Sequence, residues 1–346
     1  MNLLVTGGCG FIGSNFLRLL RQLRPDWRLM NIDALRPGGR MENIQDLAGD
    51  TQVSFVRGDI NDRALIEPLI DEADAIVNFA AESHVDRSIL DAAPFVESNV
   101  RGVQSLLDAM RTVDPESKKR LVHVSTDEVY GSLSLDDDHR FTEASPLRPS
   151  SPYSASKAGG DLLILAACRT FNMNACVTRC GNNFGPRQFP EKLIPLIIDR
   201  ALRGLTIPIY GDGRQVRDWI HVDDHGEALL HVLEQGQPGE VFNIGADNEQ
   251  ANLDVARLIL DAVGASDELI RYVADRPGHD RRYSVDASRL MKRTGWRPTR
   301  STPLTWPEAL REVVRWYTSN RQWFTHVEDE AYRAYMAAQY ANRLPH

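Results

Sequence analysis

The sequence predicts an α/β fold: a doubly wound parallel sheet with helices on both faces, joined to a smaller mixed α/β lobe. Three observations predict it. The first half of the 346 residues alternates short apolar runs with amphipathic stretches, the rhythm of parallel strands linked by helices. A glycine cluster (Gly8, Gly10, Gly13) stands between the first apolar run and the first amphipathic stretch, where a phosphate-binding turn belongs. Beyond residue 179, segments rich in Pro, Gly and Asn break the rhythm into shorter pieces, as expected of a lobe whose loops close over a cleft.

Residues 3–5 read as the first strand and 12–23 as the first helix, with apolar side chains at helical spacing. Further strands are expected at 28–32, 53–56, 75–79, 121–125 and 175–179, with helices at 64–70, 94–110 and 152–171. Residues 241–245 read as a strand that returns to the first lobe. The division that follows is a dinucleotide-binding Rossmann domain over 1–178, with return segments near 218–245. The substrate-binding lobe takes 179–217 and 246–346, and the stretch after Trp323 forms a C-terminal helical tail. Asp136, Asp137 and Asp138 are read as a solvated loop.

Hydrophobic residues make up 42% and charged residues 25% of the chain, an ordinary globular balance. A net charge of −8 argues against nucleic acid or an anionic membrane as the main partner. No apolar stretch has bilayer length, and no signal peptide fits ahead of the glycine loop, so a cytoplasmic location is expected. Cys9, Cys168, Cys176 and Cys180 show no C-x-x-C spacing; they are read as buried thiols, with no metal site.

The segment Thr6-Gly7-Gly8-Cys9-Gly10-Phe11-Ile12-Gly13 contains G-x-G-x-x-G. Missing side chains let a backbone approach a pyrophosphate, which then rests on the positive end of the following helix. Asp33 lies 20 residues past Gly13, the position of a carboxylate that holds the adenosine ribose. Its charge repels a 2′-phosphate, which favours NAD over NADP. Asp59 and Ile60 follow the third strand and are candidates for the adenine edge.

Tyr153 and Lys157 share one face if their segment is helical, and Ser151 with Pro152 supplies an N-cap and a first helical residue. A phenol with a pKa of ~10 is a poor base at neutral pH. A lysine ammonium and a nicotinamide cation together stabilise its phenolate; lowering the pKa by ~3 units corresponds to ~4 kcal/mol. Such a tyrosine takes the proton from a substrate hydroxyl as hydride leaves the same carbon. Glycine loop, ribose aspartate and Tyr-x-x-x-Lys together resemble the extended short-chain dehydrogenases/reductases that act on nucleotide sugars.

Thr126, Asp127 and Glu128 narrow the choice. A 4-epimerase only removes and returns a hydride, and has no use for two further acids. A 4,6-dehydratase does: oxidation at C4 acidifies the C5 proton, a base removes it, and an acid protonates the departing C6 hydroxyl before hydride returns to C6. Adjacent carboxyls in a dry cleft hold different protonation states, because ionising one disfavours the other. Glu128 is assigned as the base at C5, Asp127 as the acid at C6, and Thr126 as the partner of O4.

Longer segments carry a closer likeness: 79–88 (FAAESHVDRS), 125–131 (STDEVYG), 151–157 (SPYSASK), 182–186 (NNFGP), 189–195 (FPEKLIP), 210–213 (YGDG), 216–219 (VRDW) and 275–280 (DRPGHD). On these the chain resembles the dTDP-glucose 4,6-dehydratase family from residue 1 to about 316. The resemblance implies NAD-dependent conversion of a nucleoside-diphosphate glucose, dTDP-glucose ahead of UDP-glucose or another such sugar, to the 4-keto-6-deoxy sugar. It implies NAD contacts at Gly7, Gly10, Phe11, Ile12, Gly13, Asp33, Ala34, Leu35, Arg36, Asp59, Ile60, Phe79, Ala80, Ala81, Ser83, Ser98, Tyr153, Lys157 and Asn183. It implies substrate contacts at Ser83, Thr126, Asn182, Lys192, Leu193, Pro208, Ile209, Tyr210, Arg217, Asn252, Asp275, Arg276 and His279, among which Lys192, Arg217 and Arg276 suit a diphosphate. It also implies a homodimer joined through a four-helix bundle made from residues 94–110 and 152–171 of each copy. One departure stands out: after Asp33 the family usually has Lys-Leu-Thr-Tyr-Ala-Gly, where this chain has Ala34-Leu35-Arg36-Pro37-Gly38-Gly39. Gly159, Gly160 and Gly181 are smaller ones.

Overall fold

The computed structural model describes residues 1–328 and 330–340. The first half runs β1 (Asn2–Thr6), α1 (Phe11–Leu23), β2 (Arg28–Asp33), β3 (Val53–Arg57), α2 (Arg63–Glu72), β4 (Ala75–Asn78), α3 (Val85–Leu90), α4 (Ala93–Val96), α5 (Gly102–Val113), β5 (Arg120–Thr126), α6 (Pro152–Phe171) and β6 (Ala175–Cys180). The second half runs β7 (Asn182–Phe184), α7 (Leu193–Leu202), β8 (Ile207–Tyr210), β9 (Val216–His221), α8 (Val222–Gln235), β10 (Val241–Ile244), β11 (Glu249–Ala251), α9 (Asn252–Val263), β12 (Ile270–Val273), α10 (Ser288–Thr294), α11 (Trp306–Ser319), α12 (Arg321–Val327) and α13 (Glu330–Tyr340).

Seven parallel strands stand in the order β3-β2-β1-β4-β5-β6-β10. The chain begins at the centre, winds outward to β3, then crosses back to β4. That reversal between β1 and β4 leaves a crevice at the carboxyl ends of the strands, where open α/β sheets bind their ligands. Both faces are covered. Leu3 and Val5 pack on one side with Phe16, Val122, Leu229 and Phe242, while Leu4 points to the other with Met30, Ile76, Leu106 and Ile164, the alternation a strand imposes. The expected strand at 241–245 is β10, and it joins the sheet beside β6.

The second lobe carries a three-stranded sheet (β11-β9-β7) and a two-stranded one (β12-β8). Helices α7, α9 and α11 pack around a core containing Phe184, Ile197, Trp219, Ile259, Trp306 and Tyr317.

Two elements differ from the sequence expectation. The helix expected over 94–110 is interrupted by a π-helical turn at Glu97–Arg101. There Asn99, 1% exposed, exchanges hydrogen bonds with the Glu82 backbone and donates to Ser156 Oγ. The widened turn aims this side chain across at the loop after β4, a use to which such bulges are often put. The tail expected after Trp323 is two helices rather than one: α12 already contains Trp323, whose Nε1 donates to Asn43 Oδ1 at 3.0 Å, and α13 follows. Residues 341–346 of that tail lie outside the described residues.

Candidate active site

The glycine loop closes over the sheet crevice so tightly that a side chain has no room. A Cβ on Gly13 would stand 2.5 Å from the Gly7 carbonyl oxygen. The loop is tied down by polar side chains from β2: Gly8 N donates to Asn31 Oδ1 and Cys9 N to Asp33 Oδ2. Asp33 Oδ1 accepts from Leu35 N at 2.8 Å, so this carboxylate joins the glycine loop to the loop after β2. Burial pushes its pKa up, and the two amide bonds oppose the push. The atypical loop turns at Leu35, whose φ of 55° is left-handed. It then sends Arg36 to pair with Asp59 at 2.6 Å and to lie 3.9 Å from Glu82.

Of the residues expected to touch NAD, all but Leu35 line one continuous cleft. The Leu35 side chain packs against the core on one face of the sheet instead. This wall has what a dinucleotide needs: backbone without side chains at the start of α1, a carboxylate at the ribose position, and no Cβ in the cradle.

At the other end of the cleft stand Tyr153 and Lys157. The first turn of α6 is fixed by a reciprocal pair, Ser151 and Ser154, each capping the other's backbone, with Pro152 at the first helical position. Lys157 Nζ donates to the Val124 carbonyl at 2.8 Å. Burial drives this ammonium's pKa down to about 8, with Asp161 and Cys180 pulling the other way. Tyr153 packs against Phe95 and Val85. Burial, then Glu128 and Cys180, push the phenol well above its usual range, while its hydrogen bond with Thr126 works the other way. The chain's own groups therefore keep this phenol protonated, and Lys157 by itself does not produce the expected phenolate.

Asp127 and Glu128 begin a single 3-10 turn (Asp127–Tyr130) at the carboxyl end of β5. The Thr126 hydroxyl accepts from Glu128 N and donates to Asp127 Oδ1, each at 3.3 Å. Asp127 is 1% exposed, and its Oδ2 has no hydrogen-bond partner among the described residues. Burial, Glu128 and Asp218 hold its carboxyl well above the ordinary range against Arg217 and Thr126. Glu128 is also raised by burial, but Arg276, Arg217 and Lys192 all pull it back. The two carboxyls thus share Arg217 but differ in their other neighbours: Glu128 and Asp218 act on Asp127, while Arg276, Lys192 and Asp280 act on Glu128.

The cations are supplied by the second lobe. Arg217 on β9 donates to the Val216 and Asp280 carbonyls and lies 4.2 Å from the Tyr283 ring centroid. Arg276 stands 3.6 Å from Asp86, which also accepts from Tyr210 OH at 3.2 Å. Lys192 Nζ donates to the Ser83 carbonyl. His279 pairs with Asp275 at 2.5 Å and meets the Tyr210 ring edge-on. Among the described residues, Asn182 Oδ1, Asn252 Oδ1 and Arg276 Nε are buried with no partner, as polar groups awaiting a ligand are. Ile209 and Leu193 turn their side chains into the lobe core, and Pro208 lies beside them in β8.

Other cleft residues escape the sequence reading: Glu82, His84, Arg87, Gln188, Phe189 and Glu191 all line it. Arg87 pairs with Glu191 at 2.9 Å, joining its two rims. Several sit inside the segments 79–88 and 189–195 that carry the family likeness, which is the signal that points to them. No cluster of His, Cys, Asp and Glu suited to a metal occurs among the described residues, and none of their helices is long and apolar enough to cross a membrane.

Comparison with known proteins agrees with this geometry. Residues 4–305 match the family described as GDP-mannose 4,6 dehydratase. A dTDP-glucose 4,6-dehydratase of Actinoplanes is 48% identical over 330 residues, covering 94% of this chain and 100% of the relative. The solved structure of a dTDP-glucose 4,6-dehydratase from Streptomyces venezuelae, with NAD bound, superposes with a TM-score of 0.89 at 46% identity, covering 94% of this chain and 100% of its own. A UDP-glucose 4-epimerase from Thermotoga maritima reaches a TM-score of 0.83 at 28% identity, covering 93% and 100%. The catalytic fold is thus shared with epimerases, but the higher identity lies with dehydratases, and the chain belongs to the dTDP-glucose 4,6-dehydratase family.

Proposed function

We propose that this chain converts dTDP-glucose to the 4-keto-6-deoxy sugar nucleotide with NAD as a resident cofactor. The observation that carries the reading is the pair Asp127 and Glu128, adjacent in sequence, both lining the cleft and both with their pKa raised by burial, with more cations opposing that rise at Glu128 than at Asp127. An epimerase has no work for such a pair.

NAD held along Gly10, Gly13, Asp33 and Ser98 would supply a hydride acceptor that is regenerated within each turnover, and the positive charge that the phenol of Tyr153 lacks in the protein alone. Tyr153 takes the O4 proton as C4 is oxidised, with Thr126 orienting that hydroxyl. Glu128, whose burial-raised pKa three cations hold back, removes the C5 proton. Asp127, kept protonated by burial and by neighbouring acids, gives its proton to the C6 hydroxyl, which leaves as water. Glu128 then returns its proton to C5 as C6 is reduced. The proton that Tyr153 gains equals the one Asp127 loses, so turnover is neutral in protons.

Arg217, Arg276 and Lys192 bind the diphosphate, and Asn182, Asn252, Ser83 and Tyr210 complete the sugar-nucleotide site. Residues 1–178, with the return segments near 218–245, act as the cofactor lobe, and 179–217 with 246–346 as the substrate lobe. Exposed Leu90, Val96 and Leu162 on the helices beside the cleft support a homodimer, and the lack of a membrane-spanning helix among the described residues fits a cytoplasmic enzyme.

The test is a product assay by mass across dTDP-, UDP-, GDP- and CDP-glucose. Loss of one water from dTDP-glucose is expected; an isomer of unchanged mass would instead establish a 4-epimerase. Glu128→Gln should still reduce the bound nicotinamide with substrate yet release no keto sugar. Dehydration by that variant at the native rate would overturn its role as base.

A further inference from the structure

Close to Lys157 on α6, the core holds a charged group for which the reaction above has no use. Asp161 lies one helical turn past Lys157 on α6 and is 0% exposed. Its Oδ2 accepts from Arg179 Nε of β6 at 2.8 Å. Arg179 Nη1 donates to Tyr130 OH at 2.9 Å, and that hydroxyl donates to Asn243 Oδ1 at 2.7 Å. Asp161 Oδ1, by contrast, has no hydrogen-bond partner among the described residues, and neither has His123 Nε2, 3.8 Å from it. The clamp thus fixes one oxygen, while the other faces the Ser125 hydroxyl, which also favours the ionised carboxyl.

A carboxylate and a guanidinium removed this far from water add little stability compared with apolar side chains of the same volume. Their closeness to a catalytic lysine suggests another purpose. We propose that Asp161, clamped by Arg179, is a positioning residue that keeps Lys157 charged and seated on the Val124 carbonyl beneath the Tyr153 phenol. The proposal rests on the roles of Tyr153 and Lys157 given above.

The groups around Lys157 support it. From β5 come Ser125 and Thr126, which carry no charge, and His123, which burial and Lys157 itself hold neutral. From β6 come Arg179 and Cys180, whose thiol is pushed up to about 12. From the turn after β5 come Tyr130, with its hydroxyl pushed up to about 12, Asp127, which keeps its proton, and Glu128, which faces the cleft cations. Burial drives Lys157 towards the neutral amine, and Asp161 is the first of the groups opposing it. Burial raises the pKa of Asp161 itself, and Arg179, the Ser125 hydroxyl and Lys157 pull it back towards the carboxylate. A lysine that loses its proton no longer stabilises a phenolate, so without Asp161 the alkaline limb of activity moves to lower pH.

The experiment is the pH profile of kcat and KM for NAD-loaded wild type, Asp161→Asn and Asp161→Glu, together with the tyrosinate absorbance of Tyr153 in the same proteins. Asp161→Asn should move the alkaline limb down by about one pH unit, a loss of roughly fivefold near pH 8 that approaches tenfold above pH 9, with the dTDP-glucose KM unchanged. Asp161→Glu should keep the native limb. Because Asp161→Asn leaves Arg179 unpaired in the core, the double variant Asp161→Asn/Arg179→Gln, which removes both charges, should show the same displacement. An unmoved limb in either folded variant overturns the proposal. A wild type that makes no keto sugar would sink the dehydratase reading instead, and the tyrosinate titration, which needs no turnover, would still decide the role of Asp161.

Discussion

Two carboxyls that are neighbours in the chain meet different charges because of residues far from them in sequence. Asp127 feels Asp218, and Glu128 feels Arg276, Arg217 and Lys192. General acid catalysis is typically worth 10²–10⁴-fold, so Asp127→Asn should lower the rate of water release by about that factor. Its first step, C4 oxidation, should survive, and the measurable sign is reduced nicotinamide accumulating on the enzyme after substrate is added. If Asp127→Asn made keto sugar at close to the native rate, the acid would have to be sought elsewhere. At this scale the sequence was most legible where partners are local. Thr126-Asp127-Glu128 and Tyr153-x-x-x-Lys157 are set by single turns of backbone, so spacing alone brings each set together. The protonation of Tyr153 was less legible. Its phenol is governed by Glu128 and Cys180 as well as by burial, and spacing along α6 says nothing of neighbours that arrive from β5 and β6.

At the scale of elements, the strands of the sheet and helices α1, α2 and α6 followed their apolar patterns within a residue or two, because strands covered on both faces read as near-continuous apolar runs. Helix α5 ran three residues further, and α3 and α8 had no counterpart in the sequence reading. The π-helical turn at Glu97–Arg101 was not legible, since it answers to Asn99 meeting Glu82 and Ser156 from other elements. The unusual Gly160 fits the same place: a Cβ there would stand 2.7 Å from the Asn99 carbonyl oxygen. The glycine loop is a sharper case, because the proposed cofactor site depends directly on its geometry. With 2.5 Å between a Cβ on Gly13 and the Gly7 carbonyl, Gly13→Ala must displace the loop from the start of α1. The expected result is purified protein with its NAD content lowered at least about tenfold and a melting temperature that no longer rises when NAD is added. Native NAD content in that variant would mean that the loop is not the pyrophosphate cradle.

At the scale of the whole molecule, the active site lies between a rigid sheet and a lobe that supplies the cations, and one helix links that site to the outer surface. The inward face of α6 carries Tyr153 and Lys157, while Leu162 on the same helix is 57% exposed. Leu90, 71% exposed, and Val96, 52% exposed, lie on α3 and α4, which pack beside α6. Apolar side chains gathered on adjoining helices mark a face suited to a partner, and two copies placing these helices together would bury them in a shared bundle. Replacing Leu162 by Glu would place a charge in the middle of that contact, at a desolvation cost no partner repays. Leu162→Glu should therefore sediment at half the mass of wild type, and its kcat should fall more than its NAD content, because the helix carrying Tyr153 loses its outer support. A wild type that sediments as a single copy at micromolar concentration would remove the bundle, and with it the reason for so much apolar surface on α3, α4 and α6.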